Sequence, residues 1–376
     1  MEIYLDNAAT TRVCTEAADI AYKVMTDCYG NPSSTHTKGR DAKAYLDTAR
    51  AQIALALGCS ASEVYFTSCG SESDVWAITR GAESAARRGR HIISSAVEHD
   101  AVRKTLEELE SRGFEVTYLS PEKDGSVSAD AVKAALREDT ILVTLMMVNN
   151  ETGGITDIAA IAKMLKGCGS KALLHTDAVQ GFMKVPFSAK KLGADMISIS
   201  GHKIHAPKGI GALYIKTGVK IKPLIRGGAQ EGGMRAGTEA MPQIAAFGKA
   251  AEIAFSGMKD NCDTMASLRV LAMSTICADI PEAQISGGGA PHILSVSLPG
   301  WRSEVLMNFL EAEGIYVSRS SACKKGGRSH VLEAMRLPAQ VIDGAIRVSF
   351  SRYNTEDDVL ALCSALKRAH DTLAHR

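Results

Sequence analysis

A chain of 376 residues, 45% hydrophobic and 23% charged, is long enough for two domains sharing a large core, and its balance excludes a disordered or fibrous protein. Its formal net charge of +1 provides no field to draw in nucleic acid or a membrane surface. Met1 leads directly into Glu2-Ile-Tyr-Leu-Asp6 with no secretory pattern, no run is apolar enough to span a bilayer, and the nine cysteines form no Cys-x-x-Cys pair or zinc-spaced cluster. A cytoplasmic protein with reduced thiols and no metal site is expected.

In chain order, Leu5-Asp-Asn-Ala-Ala-Thr-Thr11 is a small polar loop after a short strand, and Tyr29-Gly-Asn-Pro-Ser-Ser34 is a turn with a capping signal for a helix starting near Thr35. Apolar positions recur at helical spacing over 41–57, and 63–67 reads as a strand. That strand runs into Ser68-Cys69-Gly70-Ser71-Glu72-Ser73-Asp74, with a helix continuing from Val75. Strand, glycine and hydroxyl turn, then helix start is how backbone amides and a helix dipole are aimed at a phosphate.

A strand begins at His91 and carries Glu98-His99 at its end; a helix follows over 100–112, a strand over 114–119 and a helix over 129–136. The strand 140–148 delivers Asn149-Asn150-Glu151 at its end. Repeated alternation of strand and helix predicts a mainly parallel sheet with helices on both faces, and such sheets bind ligands beyond the carboxyl ends of their strands.

Two neighbouring strands then carry the strongest chemistry. Ala172-Leu-Leu-His-Thr-Asp177-Ala-Val-Gln180 ends in a carboxylate and an amide, and Asp195-Met-Ile-Ser-Ile-Ser200-Gly-His202-Lys203 ends in a lone lysine among small residues. An amine at a sheet edge can form a Schiff base with a carbonyl cofactor, hydroxyl and glycine neighbours suit its phosphate, and a carboxylate suits a pyridinium nitrogen. Asp177, Gln180, Ser200, His202 and Lys203 therefore point to pyridoxal 5'-phosphate (PLP).

Beyond them, the glycine-rich stretch 225–238 is too long for an idle turn. A helix over 241–256 leads to a less regular C-terminal part: a helix over 262–276, a strand over 292–297, a helix over 304–313 and a strand over 315–318. Ser318-Arg-Ser-Ser-Ala-Cys323-Lys-Lys-Gly-Gly-Arg-Ser places a cysteine in an electropositive loop, a setting that favours thiolate. The strand 345–350 carries Arg347, whose fork of donors matches a carboxylate at two points. The other cysteines, Cys14, Cys28, Cys59, Cys168, Cys262, Cys277 and Cys363, are expected to be inert packing residues.

From Leu5-Asp-Asn-Ala-Ala-Thr-Thr11 to Ser320-Ser-Ala-Cys323 and Ile346-Arg347-Val-Ser, the sequence resembles the PLP-dependent cysteine desulfurases of the NifS/IscS-like group, in the class V aminotransferase superfamily. The motifs follow the family's order over nearly the whole chain. The resemblance implies an α/β protein of PLP-transferase fold type I. Its large domain, 13–256, would hold a mainly parallel seven-stranded sheet, and a smaller α+β domain of 1–12 and 257–376 would carry the cysteine loop.

It further implies conversion of L-cysteine to L-alanine, with Lys203, Cys323 and His99 catalytic and the sulfur held as a persulfide on Cys323. Gly70 and Ser71 would join Asp177, Gln180, Ser200, His202, Lys203 and the ring-stacking His99 in holding the cofactor. Asn150 would reach both ring hydroxyl and substrate, with Asn31 and Arg347 as further substrate contacts. Thr238 would touch the cofactor phosphate of the neighbouring subunit in a homodimer, and an acceptor protein would take the sulfur.

The chain departs from the family in three places: Cys69-Gly70-Ser71 replaces Gly-Ala-Thr, Ser320 replaces a glycine, and the stretch from Cys323 to Val331 is about two residues short. It also stops at Arg376 without the longer tail that binds an iron–sulfur scaffold, so a different acceptor is expected. A selenocysteine or cystine lyase, a class V aminotransferase and a non-catalytic sulfur-delivery protein stay open on the same scaffold.

Overall fold

The computed structural model describes residues 2–319 and 327–373. The chain begins with strand β1 (Ile3–Tyr4), helices α1 (Thr15–Thr26) and α2 (Thr37–Leu57), strand β2 (Val64–Thr67) and helix α3 (Gly70–Ala85). The His36 ring caps α2 by accepting from the Gly39 amide at 3.3 Å, and α2 ends where Gly58 turns left-handed at φ 67°. Helix α3 starts five residues before the expected Val75, because Cys69 is an extended N-cap (φ −173°, ψ 171°) and Gly70 already lies in the first turn.

Strand–helix alternation then builds the sheet: β3 (His91–Ser95), α4 (Asp100–Ser111), β4 (Glu115–Leu119), α5 (Ala129–Ala135), β5 (Thr140–Met146), α6 (Ile158–Gly167), β6 (Leu173–Asp177), α7 (Ala189–Leu192), β7 (Met196–Ser200) and β8 (Gly211–Ile215). The seven strands lie in the order β2-β8-β7-β6-β5-β3-β4. Strand β8 runs antiparallel to β7 and β2, and the other pairings are parallel. The α/β class and the mainly parallel seven-stranded sheet are therefore as expected.

Consecutive side chains on these strands enter opposite cores. Ile92, Leu142 and Met196 pack with Trp76, Leu106 and Leu213, whereas Ile93, Val143 and Ile197 pack with Ile53, Phe182 and Phe247 on the other face. Every residue of β5 and β7 is buried. Covering both faces leaves only the strand ends open to solvent, and the cavity described below lies there.

The C-terminal part comprises α8 (Met241–Ser256), α9 (Met258–Asp279), β9 (Gln284–Ser286), β10 (Ile293–Ser297), α10 (Ser303–Ala312), β11 (Ile315–Tyr316), β12 (Ser318–Arg319), α11 (His330–Ala334), α12 (Ala339–Asp343), β13 (Ala345–Ser349) and α13 (Glu356–Thr372). Strands β12-β13-β10-β9 form an antiparallel sheet, and β1 pairs with β11. Ile3 and Leu5 pack in the same core as Leu268, Val296, Ile346 and Leu366, so the amino terminus crosses to this cluster. The run expected as one strand over 315–318 is two, since Ile315 pairs with Ile3 and Ser318 pairs with Arg347. No helix among the described residues is long and apolar enough to cross a membrane.

Glu231, in the glycine-rich stretch, fastens that stretch to the large core. Arg50 donates to both of its carboxylate oxygens at 2.7 Å, and the Phe66 amide donates at 2.8 Å. The Glu231 side chain is 3% exposed and its backbone is left-handed at φ 48°. Glu231→Ala leaves the guanidinium and an amide without their acceptor. It is expected to lower the unfolding free energy by about 3–5 kcal/mol, read from the urea midpoint.

Candidate active site

A cavity of about 490 Å³ opens at the carboxyl ends of β5, β6 and β7. Ten of the residues predicted from sequence line it: Gly70, Ser71, His99, Asn150, Asp177, Gln180, Ser200, His202, Lys203 and Arg347. They come from strands far apart in sequence, brought to one edge by the parallel pairing.

Lys203 ends a single helical turn, Gly201–Lys203, directly after β7. A Cβ at Gly201 would lie 2.7 Å from the Ile210 side chain, so the glycine lets this turn close against the next strand. The Nζ atom donates to the carbonyls of Ala8 and Ala9 at 2.7 and 2.6 Å. Thr11 donates from its amide and its hydroxyl to the His202 carbonyl, both at 2.9 Å. The polar loop near the amino terminus thus wraps the lysine turn. Burial, reinforced by the Arg347 guanidinium, pushes the Lys203 amine down to about 8. Burial and the adjacent lysine push the His202 ring down to about 4.

Asp177 closes β6, and its Oδ1 accepts from the Val179 amide at 2.8 Å. Burial raises its pKa above the usual aspartate value, against the opposing pull of His99 and Lys203. Gln180 donates to the Ala8 carbonyl at 2.8 Å, and His99 caps α4 through the Ala101 amide at 3.1 Å. Arg347 is held by the Asn150 carbonyl at 2.9 Å and by Asp6 at 2.7 Å, while its buried Nε has no partner among the described residues.

These residues fit PLP. At the start of the 16-residue helix α3, Gly70 packs so closely that a Cβ would meet the Val179 side chain at 2.7 Å and Ser200 at 3.3 Å. The Ser200 hydroxyl, buried beside it, has no partner among the described residues. An N-terminal turn with an unpaired buried hydroxyl suits a phosphate. Asp177 offers an acceptor to a ring nitrogen, and Lys203 offers an amine to an aldehyde.

Two predicted residues are not brought to the cavity. Asn31 is exposed and its Oδ1 accepts from the Ser33 amide at 2.9 Å, closing its own turn. Thr238 is exposed beyond the glycine-rich stretch and faces no part of the cavity in the single chain. Cys323 and Ser320 lie outside the described residues. Among the cysteines expected to be packed inertly, Cys168 and Cys277 are exposed, because each falls on the outer side of its helix or turn.

Several charged groups were missed. Asp74 lines the cavity one turn after Gly70 on the same helix face, a spacing visible in the sequence. Burial, then Asp177, raises its pKa well above the aspartate value. Glu98, hidden immediately before His99, is pushed up to about 8 by burial. Glu151 is pushed up to about 7 by burial and accepts from the Ser329 hydroxyl at 2.5 Å. The buried Nζ of Lys184 has no partner among the described residues, and burial lowers it to about 7. No periodicity marks these last three, since only the folded sheet edge gathers them.

The parallel sheet, the lysine turn and the facing carboxylate define a PLP-dependent α/β enzyme. The chain belongs to the aminotransferase class-V family, whose pattern matches residues 3–362. Within it the chain falls among the cysteine desulfurases. It is 43% identical to cysteine desulfurase IscS of Methanosarcina thermophila, covering 95% of this chain and 89% of the relative. It is 44% identical to a cysteine desulfurase of Trichormus azollae, covering 95% and 90%. A solved NifS-like protein superposes with TM-score 0.94 at 38% identity, covering 99% of this chain and 100% of that one. The solved structure of SspA in complex with cysteine matches at TM-score 0.80 and 32% identity over 94% and 99%.

Proposed function

We propose that this chain converts L-cysteine to L-alanine, takes the sulfur onto Cys323 as a persulfide and passes it to an acceptor protein. One observation carries the reading: the Lys203 amine, the Asp177 carboxylate and the Arg347 guanidinium all line one cavity at the sheet edge. A relative solved with cysteine supports the substrate.

Bound PLP supplies an electron sink for the carbon that bears the substrate amine. Asp177, held by the Val179 amide, keeps a proton at the ring nitrogen. Arg347, aimed by Asp6 and the Asn150 carbonyl, receives the substrate carboxylate. Asn150 and Asn31 complete the proposed substrate contacts. Lys203 Nζ, poised by two carbonyls and lowered to about 8, moves protons at the substrate carbon. His99, at the mouth, assists the final protonation to alanine. As Cys323 thiolate attacks the substrate sulfur, the new S–S bond forms while the old C–S bond breaks.

We further propose a cytoplasmic homodimer in which Thr238, exposed here, meets the neighbour's phosphate. The acceptor would serve iron–sulfur cluster, thio-cofactor or tRNA assembly. Nucleic acid and membrane are left out as partners, supported by the near-zero net charge. The shared core of Ile3, Leu5 and the C-terminal strands supports a small domain of 1–12 and 257–376 beside a large one of 13–256.

The test is Cys323→Ser, assayed beside the parent on L-cysteine, L-selenocysteine and L-cystine. The variant is expected to keep the visible absorption of bound PLP and to lose cysteine-dependent sulfide release by at least about 10³-fold. Full activity on cysteine would overturn the persulfide. A second expectation concerns pH. Because only the neutral amine attacks an aldehyde, the rate of PLP uptake by apo-protein should rise about tenfold per pH unit below 8 and level off above it. Stopped-flow absorbance reads this, and a rate flat between pH 6 and 9 contradicts it.

A further inference from the structure

Cys69 has no part in the mechanism above, yet it lines the cavity beside Gly70 and Ser71. It stands where the related family carries glycine. Its backbone is fixed: the Cys69 carbonyl accepts from the Thr67 hydroxyl at 3.1 Å, the Ser73 amide at 3.2 Å and the Ser73 hydroxyl at 3.3 Å. The opposite strand presses on it, since a Cβ at Gly211 would come within 2.6 Å of the Cys69 carbonyl carbon. Cys69 is only partly buried, and the Ser68 hydroxyl lies 3.7 Å from its sulfur.

A second observation marks the same place as a ligand seat. Ser200, 1% exposed, lines the cavity; its hydroxyl is unpartnered among the described residues and lies 3.9 Å from where a Gly70 Cβ would stand. The first turn of α3 and this hydroxyl thus frame an anion position with a thiol at its edge.

We propose that Cys69 is a modification site that controls cofactor loading: its thiol reacts with two-electron oxidants of the peroxide class, and the adduct closes the phosphate seat. In the step, an S–O bond forms as the peroxide O–O bond breaks, sulfur is oxidised to sulfenic acid, and the thiol proton leaves in water. Access works in both directions, because a phosphate seated at the α3 amides covers the sulfur. The proposal rests on Gly70, Ser71 and Ser200 forming the phosphate seat.

The experiment uses the full-length chain carrying Cys323→Ser, so that the loop cysteine does not compete, prepared as apo-protein with hydroxylamine and as holo-protein with PLP. Peptide mass spectrometry after brief iodoacetamide or peroxide treatment is expected to show Cys69 at least about tenfold less modified in the holo form, with inorganic phosphate giving partial protection. Peroxide-treated apo-protein should bind PLP at least about tenfold more weakly by absorbance titration, and dithiothreitol should restore it. Adding Cys69→Ala, which the extended N-cap backbone accepts, should abolish the peroxide effect while untreated PLP binding persists.

Equal modification of apo and holo forms, or an unchanged titration after oxidation, overturns the proposal. Failure of the untreated protein to bind PLP through Lys203 would instead overturn the functional reading beneath it.

Discussion

Lys203→Ala is expected to yield a folded protein that holds no PLP through filtration, with the visible band gone and sulfide release from cysteine down by about 10³–10⁶-fold. The amine is the sole covalent anchor the reading assigns, and it is held for that task by the Ala8 and Ala9 carbonyls at 2.7 and 2.6 Å. Folding should suffer little. The Ala8 carbonyl keeps its bond from Gln180 at 2.8 Å, so only the Ala9 carbonyl loses its donor, a cost of about 1–3 kcal/mol. Removing a cation that burial has lowered to about 8 also relieves part of its desolvation. Lys203→Arg sharpens the test, because it restores a charged donor but no amine able to condense with an aldehyde. Either variant retaining the band on filtration would disprove the covalent anchor.

Much of the molecule was legible from its residues, for reasons that differ along the chain. The strands 140–148 and 195–200 were readable because strands buried on both faces are continuous apolar runs, and their polar ends marked the sheet edge. Lys203, Asp177 and Gln180 were found since each follows such a run by no more than three residues. Helix α13 escaped notice although Thr355 and Asp358 form a capping box. The early start of α3 was obscured by glycine and serine, which read as turn residues until tertiary packing against Val179 and Ser200 is known.

The least legible feature is the set of buried charges. Glu98 and Glu151 come from two separate segments, and each is ordinary in its local sequence. Only the register β3–β5–β6, with Ile93 opposite Val143 and Met146 opposite Asp177, brings their carriers to one edge. Long-range pairing is the information a local pattern lacks.

The second large effect is expected at Asp177. Asp177→Asn preserves shape and the Val179 amide contact but cannot hold a positive charge at the ring nitrogen, so sulfide release should fall by about 10²–10⁴-fold while the covalent colour persists. The electrostatics add a readout independent of turnover. Asp177 is raised by burial, and Asp74 and Glu98 are raised by burial with Asp177 adding to each, so the apo-protein holds protons here that the unfolded chain releases. For a raised carboxyl the stabilising contribution is complete below the unfolded pKa near 3.8 and is lost as pH rises through the folded value. The contribution of these three carboxyls to apo-protein stability should therefore decline from weakly acidic pH toward pH 8, where Glu98 also ionises, and the decline should be smaller in Asp177→Asn. A cation opposite Asp177 reverses that penalty. The gain in melting temperature on adding PLP should grow with pH more steeply in the parent than in Asp177→Asn, which keeps only the dependence that comes from Lys203. Equal slopes in the two would show that the carboxylate does not face the ring nitrogen, whatever the variant's activity.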